Sequence, residues 1–270
     1  MSEAAVDILG SLRLAIDHQR AGRLREAEGL CRQVLRADPG QPAALNLLGA
    51  IARQAGKPEA AAELLRRAVA AVPDFADAHY NLGNALRDCG DRAGAIAAYD
   101  RAIALKPAIA GWHNNRGVAL LDSGDPAAGE QAFRRADALN PAYAEAHNNL
   151  GNALSKQERL ADAVAAYRQA AAINPRFAGA FANLGGALIK AGDAAAALAP
   201  LDAALALEKQ HVRAVAYKAI ALRELGRAAE ADYLENYDLL VGADRPAAPQ
   251  GYESIDAFNA ALIADIRGHP

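Results

Sequence analysis

The sequence predicts an all-α protein, a solenoid in which pairs of helices stack on one another. The first observation is a set of five prolines at one constant interval, namely Pro39, Pro73, Pro107, Pro141 and Pro175. The second is that two stretches of helical apolar spacing, separated by a turn, lie between consecutive prolines. A fixed period of about 34 residues indicates an array in which each unit packs only on its neighbours.

The repeating unit is clearest from Ala76 to Pro107. Its first half places Leu82, Gly83 and Leu86 on one face of a helix, and the sequence CGD then predicts a turn. The second half has helical spacing again, with Ala95, Tyr99, Ala102 and Ile103 on one face. Because Gly83 is small, we expect the two helices to approach closely, and a bulkier residue there to cost roughly 1–3 kcal/mol.

These positions resemble the tetratricopeptide repeat, a helix–turn–helix unit of about 34 residues. The matching residues are Leu82, Gly83, Leu86, Ala95, Tyr99, Ala102 and Pro107, and most of them recur in the other copies. The chain is identified as a member of this family. The resemblance implies a right-handed superhelix whose first helices line its concave surface.

We predict that the array occupies residues 1–241 and is followed by a linker and a last helix. The repeats are expected near residues 8–41, 42–75, 76–109, 110–143, 144–177 and 178–211, with a degenerate copy at 212–241. Terminal copies are expected to be atypical, and Ala15 replaces the usual glycine in the first. In the last copy, Glu235 and Asp238 fall on the face that would be buried. Residues 242–251 are rich in turn formers and predict a linker. Residues 252–270 predict an amphipathic helix with Ile255, Phe258, Leu262 and Ile266 on one side.

Composition argues against several functional classes. The net charge is −3 and basic residues are not clustered, so no nucleic-acid surface is expected. No apolar run is long enough to span a bilayer and no secretory leader begins the chain, so we expect a cytoplasmic protein without membrane contact. Cys31 is expected in the core and Cys89 beside a turn, both as reduced thiols.

No catalytic motif, phosphate loop or metal-ligand spacing is present in the sequence. We therefore expect no enzyme activity, no catalytic residues, no cofactor and no metal. His79, His113 and His147 recur at one place of successive repeats, but Phe181 fills the next matching place. We interpret the histidines as aromatic-sized wedges between helices rather than as ligands.

Asparagines form a second periodic pattern. Asn81, Asn115, Asn149 and Asn183 occupy one place in four successive repeats. Further asparagines lie one turn along or beside this row, at Asn84, Asn152, Asn114 and Asn148. At about 100° per residue, the row falls roughly opposite Leu82 and Leu86, away from the packed face. A carboxamide offers both a donor and an acceptor, which suits an extended peptide backbone.

The sequence therefore predicts an asparagine-lined groove that binds an extended polypeptide. Neighbouring side chains that could select peptide residues include Tyr80, Arg87, Asp88 and Lys156. The motif NLGNAL, at residues 81–86 and 149–154, resembles the superhelical repeats of O-GlcNAc transferases, and that resemblance implies the same binding mode. A carboxylate clamp for chaperone termini is less well matched, because acidic residues oppose the few basic ones.

Three alternatives stay open at this point. The asparagines could form a structural ladder in which each amide bonds the next helix. The chain could be the substrate-recruiting region of a larger enzyme, because residues 237–240, 249–252 and 258–262 resemble the junction to an iron- and 2-oxoglutarate-dependent oxygenase domain. The iron ligands of such an oxygenase are absent from this chain. The apolar C-terminal helix could also mediate self-association into a homo-oligomer.

Overall fold

A computed structural model describes residues 7–235, and these residues form 14 α-helices and no strand. The all-α helix-pair architecture predicted from the sequence is thereby confirmed. The chain divides into two compact units between Pro141 and Ala142, and each unit is described by itself. The predicted linker at 242–251, the predicted C-terminal helix at 252–270 and the oxygenase-like junction lie outside the described residues, as does Asp238.

Unit 1 contains four helix pairs. Its helices are α1 (Ile8–Arg20), α2 (Leu24–Ala37), α3 (Pro42–Gln54), α4 (Pro58–Ala71), α5 (Ala76–Asp88), α6 (Arg92–Leu105), α7 (Ala110–Asp122) and α8 (Pro126–Leu139). The described part of unit 2 contains three further pairs. These helices are α9 (Ala144–Lys156), α10 (Leu160–Ile173), α11 (Ala178–Lys190), α12 (Ala194–Leu207), α13 (Val212–Glu224) and α14 (Ala228–Glu235).

The turn inside each pair needs a residue in the left-handed region. Glycine fills that place in six of the seven described turns, with φ between 72° and 87°, at Gly22, Gly56, Gly90, Gly124, Gly192 and Gly226. In the turn between α9 and α10 the same place is taken by Glu158, with φ of 60°. A side chain in this conformation meets steric cost that glycine avoids.

Replacing Glu158 with glycine is expected to raise the free energy of unfolding by about 0.5–1 kcal/mol, which is the difference between two opposing effects. Relief of the left-handed strain, about 1–2 kcal/mol, exceeds the added entropy of the unfolded chain, about 0.4–1 kcal/mol. The measurement is thermal or urea-induced unfolding followed by circular dichroism. The reverse change, Gly124→Glu, is the matched control and should destabilise. A destabilised Glu158→Gly variant would contradict the reasoning.

Second helices end where proline restrains the chain. In unit 1, the residues that precede Pro39, Pro73 and Pro107 follow the helix end and have φ near −136° and ψ between 83° and 93°. Such extended geometry is what a following proline favours. Glu208, after α12, adopts the same conformation although Lys209 replaces proline. The periodic prolines therefore reinforce a chain direction that the packing of the array also supports.

Each pair packs closely because a glycine of the first helix faces a large side chain of the second. A methyl group added at Gly83 would lie 2.6 Å from Cε1 of Tyr99, and one at Gly151 would lie 2.5 Å from Cε1 of Tyr167. In the first pair, Ala15 replaces glycine and the facing residue is the smaller Cys31, which is fully buried with it. In the first repeat, the larger residue on the first helix is therefore matched by a smaller facing residue on the second helix.

First helices also contact the first helices of neighbouring pairs within each unit: α1 contacts α3, α3 contacts α5, α5 contacts α7, α9 contacts α11, and α11 contacts α13. The first helices α3, α5 and α11 therefore pack against their own second helix and against helices of both adjacent pairs.

The histidines have a role beyond filling space. Nε2 of His79 lies 2.8 Å from the carbonyl oxygen of Pro73, and Nε2 of His113 lies 2.9 Å from that of Pro107. The imidazoles therefore tie the start of the first helix to the preceding turn. An interpretation as aromatic wedges alone is incomplete, because it leaves this hydrogen bond out.

Candidate functional site

Three positions of each first helix build the candidate site, and we call them the ladder positions. In α5 they are Tyr80 (first), Asn81 (second) and Asn84 (third). The repeat period carries them to the other first helices, and we call the surface they form the first-helix face. It is described separately for the two units.

In unit 1, the amide at the second ladder position donates back to the preceding helix. Nδ2 of Asn81 donates to Oδ1 of Asn46 at 2.8 Å. Nδ2 of Asn115 donates to the hydroxyl oxygen of Tyr80 at 2.8 Å and to Oδ1 of Asn84 at 3.2 Å. The second ladder position of one first helix is therefore bonded to the first or third ladder position of the preceding first helix.

Unit 2 repeats this arrangement. Nδ2 of Asn183 donates to Oδ1 of Asn148 at 2.9 Å and to Oδ1 of Asn152 at 3.4 Å. Oδ1 of Asn183 accepts from the guanidinium group of Arg213 of α13 at 3.2 Å, although Arg213 lies outside the three ladder positions. Such cross-helix bonds are what the structural-ladder interpretation of the asparagines expects.

A tyrosine of the second helix fixes the third ladder position. The hydroxyl of Tyr99 donates to Oδ1 of Asn84 at 2.8 Å, and the hydroxyl of Tyr167 donates to Oδ1 of Asn152 at 2.8 Å. Burial raises the pKa of both phenols above its ordinary value, which keeps each hydroxyl protonated. Each asparagine oxygen therefore accepts two internal hydrogen bonds, and the orientation of the amide is set.

Burial of the asparagines corrects one prediction. The sequence places Asn84, one turn along from the row, on the same side as Asn81 and away from the packed face, but Asn84 is 5% exposed, and Asn114 and Asn148 beside the row are 5% and 8% exposed. The helical angle takes account only of the partner helix in the same repeat. First helices of the adjacent repeats pack against the same side, so the first and third ladder positions become partly enclosed.

Other predicted residues remain closer to solvent. The half-buried asparagines are Asn81, Asn115, Asn149, Asn152 and Asn183. Arg87 and Tyr80 are also half-buried, whereas Asp88 and Lys156 are exposed at the ends of α5 and α9. Asp88 accepts from Arg53 of the preceding first helix at 3.0 Å, so its charge is balanced on the face.

Several ladder groups make no hydrogen bond within the described residues. These are Nδ2 of Asn84 and Asn46 in unit 1, Nδ2 of Asn148 and Asn152 in unit 2, and Oδ1 of Asn81. No side-chain nitrogen or oxygen of the described part is both fully enclosed and unpaired, so these groups reach solvent. Hydrogen bonds within the ladder occupy more asparagine oxygens than asparagine nitrogens. Four of the five groups named here are therefore N–H donors.

An aromatic cluster borders the ladder in unit 1. Tyr80 stacks on Trp112 with ring centroids 5.1 Å apart and 14° between the planes, and it lies 5.9 Å from the ring of Tyr99. Lys106 places its ammonium group 5.9 Å from the Trp112 ring and bonds Asp77 at 2.7 Å. Tyr80 is consequently held in place, and its hydroxyl serves the ladder.

The sequence contains a signal for the role of the tyrosines that helical spacing alone does not reveal. Tyrosine occupies the facing place of the second helix only where the third ladder position is asparagine, in the pairs Asn84/Tyr99 and Asn152/Tyr167. In the repeat between them the same two places are held by Val118 and Phe133, which lack both polar groups. The sequence reasoning also missed Asn46, at the first ladder position of α3, and Arg213, which bonds Asn183 from α13.

Alkaline pH is expected to destabilise the protein through these tyrosines. The pKa of these tyrosines is higher in the folded state than in the unfolded chain. Their contribution to the free energy of unfolding is therefore complete below about pH 10 and is lost as pH rises further. The melting temperature should fall less steeply above about pH 10 in a Tyr99→Phe/Tyr167→Phe variant than in the wild type. Equal slopes for the two proteins would contradict this assignment.

No group of three potential metal ligands occurs among residues 7–235. No helix in this part of the chain combines the length and apolar character that crossing a bilayer requires.

A stack of helix pairs with a constant period defines a class of repeat protein, and comparison with family models gives the family. One model of the tetratricopeptide repeat matches residues 12–74, 51–110 and 80–144, and another matches residues 144–177. These matches run through more than half of the sequence. The chain belongs to the tetratricopeptide repeat family.

Solved structures of the same fold include PilF of Pseudomonas aeruginosa, with a TM-score of 0.69 and 19% identity over 79% of this chain and 97% of that one. YrrB, described as a tetratricopeptide repeat protein with an unusual peptide-binding site, has a TM-score of 0.57 and 19% identity, covering 68% and 95%. The MamA protein has a TM-score of 0.56 and 24% identity, covering 63% and 92%. The comparison with curated proteins gave no match.

Proposed function

We propose that this chain is a non-enzymatic interaction protein that holds an extended polypeptide along the first-helix face of a unit. The observation that carries the proposal is the orientation of Asn84 and Asn152. Their oxygens are occupied by a tyrosine hydroxyl and by the asparagine of the next repeat, whereas their Nδ2 groups make no hydrogen bond within the described residues and are not fully enclosed.

The chemistry suits a peptide backbone. An extended polypeptide presents carbonyl oxygens at regular intervals, and a preoriented amide donor loses little entropy when it bonds one of them. Each such bond contributes about 0.5–1.5 kcal/mol, so several of them give affinity that depends little on peptide sequence. Selectivity would come from side chains beside the ladder, which include Tyr80 and Arg87 in unit 1 and Lys156 in unit 2.

Membership of the family supports the coarser part of the proposal, because its members present helical surfaces to other proteins and peptides. The peptide-binding site named for YrrB belongs to that protein, and it shows that this fold accommodates such a ligand. We further expect, from the sequence, that the protein acts in the cytoplasm and catalyses no reaction. Both expectations stay predictions.

The internal bonds of the ladder also fit a purely structural role, and a conservative substitution separates the two. Aspartate at position 84 or 152 keeps an oxygen for the tyrosine and for the next asparagine. It replaces the free amide donor with a second oxygen that repels a peptide carbonyl. Aspartate is therefore expected to preserve the fold and to weaken peptide binding.

The experiment starts from short peptides selected on the wild-type protein from a displayed random library. Their affinities are measured by fluorescence anisotropy for the wild type and for an Asn84→Asp/Asn152→Asp variant. Each unit loses one donor worth about 0.5–1.5 kcal/mol and gains repulsion, which predicts that a peptide binds either unit about threefold more weakly or worse. Circular dichroism and melting temperature report whether the variant keeps its fold.

Asn174→Asp is the matched control. Oδ1 of Asn174 accepts from the backbone N–H of Arg176 at 3.1 Å, at the end of α10 and away from the ladder, and aspartate can keep that bond. Its peptide affinity should stay within about twofold of the wild type. Unchanged binding by the folded ladder variant would overturn the proposal, as would failure of the library to yield any binding peptide.

A further inference from the structure

A cleft opens on unit 2 between α12, α13 and α14. It has a volume of about 420 Å³. Its apolar lining comes from Leu198 of α12, Leu222 of α13, and Tyr233 and Leu234 of α14. The cleft is distinct from the ladder, because none of the ladder asparagines lines it.

Two ion pairs frame the cleft. Lys218 Nζ lies 2.6 Å from Oδ1 of Asp202, and Arg227 Nε lies 2.6 Å from Oε1 of Glu230. The first pair repeats a contact of unit 1, where Arg116 bonds Asp100 at the equivalent places three repeats earlier. The Lys218–Asp202 pair is therefore an ordinary feature of the array.

Tyr233 is the unusual part of the cleft. It is 59% exposed, although it is one of the largest apolar side chains of α14. The places one, two, three and four repeats earlier carry Ala199, Ala165, Gln131 and Ala97, none of which is aromatic. A large ring exposed beside an apolar cleft is the kind of surface that interaction partners cover.

The chain carries a segment with matching chemistry. Residues 254–267 place Ile255, Phe258, Leu262 and Ile266 at helical spacing, and the polar residues between them are Asp256, Asn259 and Asp265. We propose that this amphipathic segment docks in the cleft of its own chain and covers Tyr233, Leu198 and Leu234 with its apolar side.

Chain length favours docking within one molecule. Residues 236–253 connect α14 to the segment, and a connection of this length spans up to about 60 Å when extended. That reach exceeds the size of the cleft several-fold. A segment tethered so close has an effective concentration in the millimolar range, so modest apolar contact is enough for docking. A second copy of the chain would have to compete with this advantage.

The experiment is hydrogen–deuterium exchange on the full chain, read by mass spectrometry. Amides of residues 254–267 are expected to exchange at least tenfold more slowly than in a free peptide of that sequence. Tyr233→Ser and Phe258→Ser should each remove this protection. Leu9→Ser is the matched control, because Leu9 is also an exposed apolar residue, at 71%, but lies on α1 of unit 1. It should leave the protection unchanged.

Exchange within α12 to α14 is recorded in the same spectra and shows whether Tyr233→Ser preserves the cleft. Should that variant unfold α14, Phe258→Ser decides, because it alters only the segment. The proposal is overturned by absence of protection in the wild type, or by protection that survives Tyr233→Ser with α14 intact. A dimeric mass in light scattering, with protection that falls on dilution, would assign the cleft to a second copy and also overturn it.

Discussion

Alanine at Gly83 is expected to lower the free energy of unfolding by about 1–2 kcal/mol, whereas alanine at Gly29 is expected to raise it by about 0.5–1 kcal/mol. Both glycines lie within helices, so each substitution gains helix propensity. At Gly83 the added methyl group would lie 2.6 Å from Cε1 of the fully buried Tyr99, and overpacking of about 1–3 kcal/mol outweighs that gain. At Gly29 no atom lies within 4 Å of the methyl group.

Urea-induced unfolding of the two variants measures this contrast directly. The opposite signs matter more than either value, since the two substitutions are chemically identical. If both variants were stabilised, the close approach of α5 and α6 at Gly83 would have to be looser than described. A smaller partner side chain, as in the Ala15/Cys31 pair, shows how the chain accommodates a methyl group at the equivalent place.

The Asn152/Tyr167 pair is expected to show strong coupling in a double-mutant cycle. Asn152→Val should cost about 1–3 kcal/mol, because it leaves the buried hydroxyl of Tyr167 without its acceptor, while the amide of Asn183 keeps its shorter bond to Asn148. Tyr167→Phe should cost only about 0.5–1.5 kcal/mol, since Asn152 keeps its bond from Asn183. The double variant reproduces the Val118/Phe133 combination of the preceding repeat and should be more stable than Asn152→Val alone.

Coupling of about 1 kcal/mol or more between the two sites is therefore the expected result of the cycle. Additive effects would mean that the tyrosine does not fix the asparagine, and the preoriented donor on which the proposed function depends would lose its support. All three variants are compared by urea-induced unfolding near neutral pH, where both phenols are protonated.

The architecture was predictable because the repeat period constrains many positions at once. Proline, glycine and a large second-helix residue recur together, and each has a local physical reason that does not depend on the rest of the chain. The close approach at Gly83 followed from the absence of a side chain there. The compensation between Ala15 and Cys31 required knowing which residues face each other across the pair.

The candidate site was predictable only in part, because its details depend on contacts between repeats. Helical angles placed Asn84 away from Leu82, but they did not reveal that α7 packs beside it and that Asn115 donates to its oxygen. The pairing of Asn84 with Tyr99 was visible in the sequence as a correlation between two repeats. The hydrogen bond that explains this correlation depends on how α6 packs against α5, which the sequence does not give.

The central claim is that the free amide donors of the ladder bond a peptide, and the most direct measurement is nuclear magnetic resonance of the side-chain amides. A ¹⁵N-labelled sample is titrated with a library-selected peptide. The Nδ2 resonances of Asn46, Asn84, Asn148 and Asn152 are predicted to shift, while those of Asn140 and Asn174 at the ends of second helices stay in place. Shifts confined to the second helices, with the ladder amides unmoved, would contradict the account.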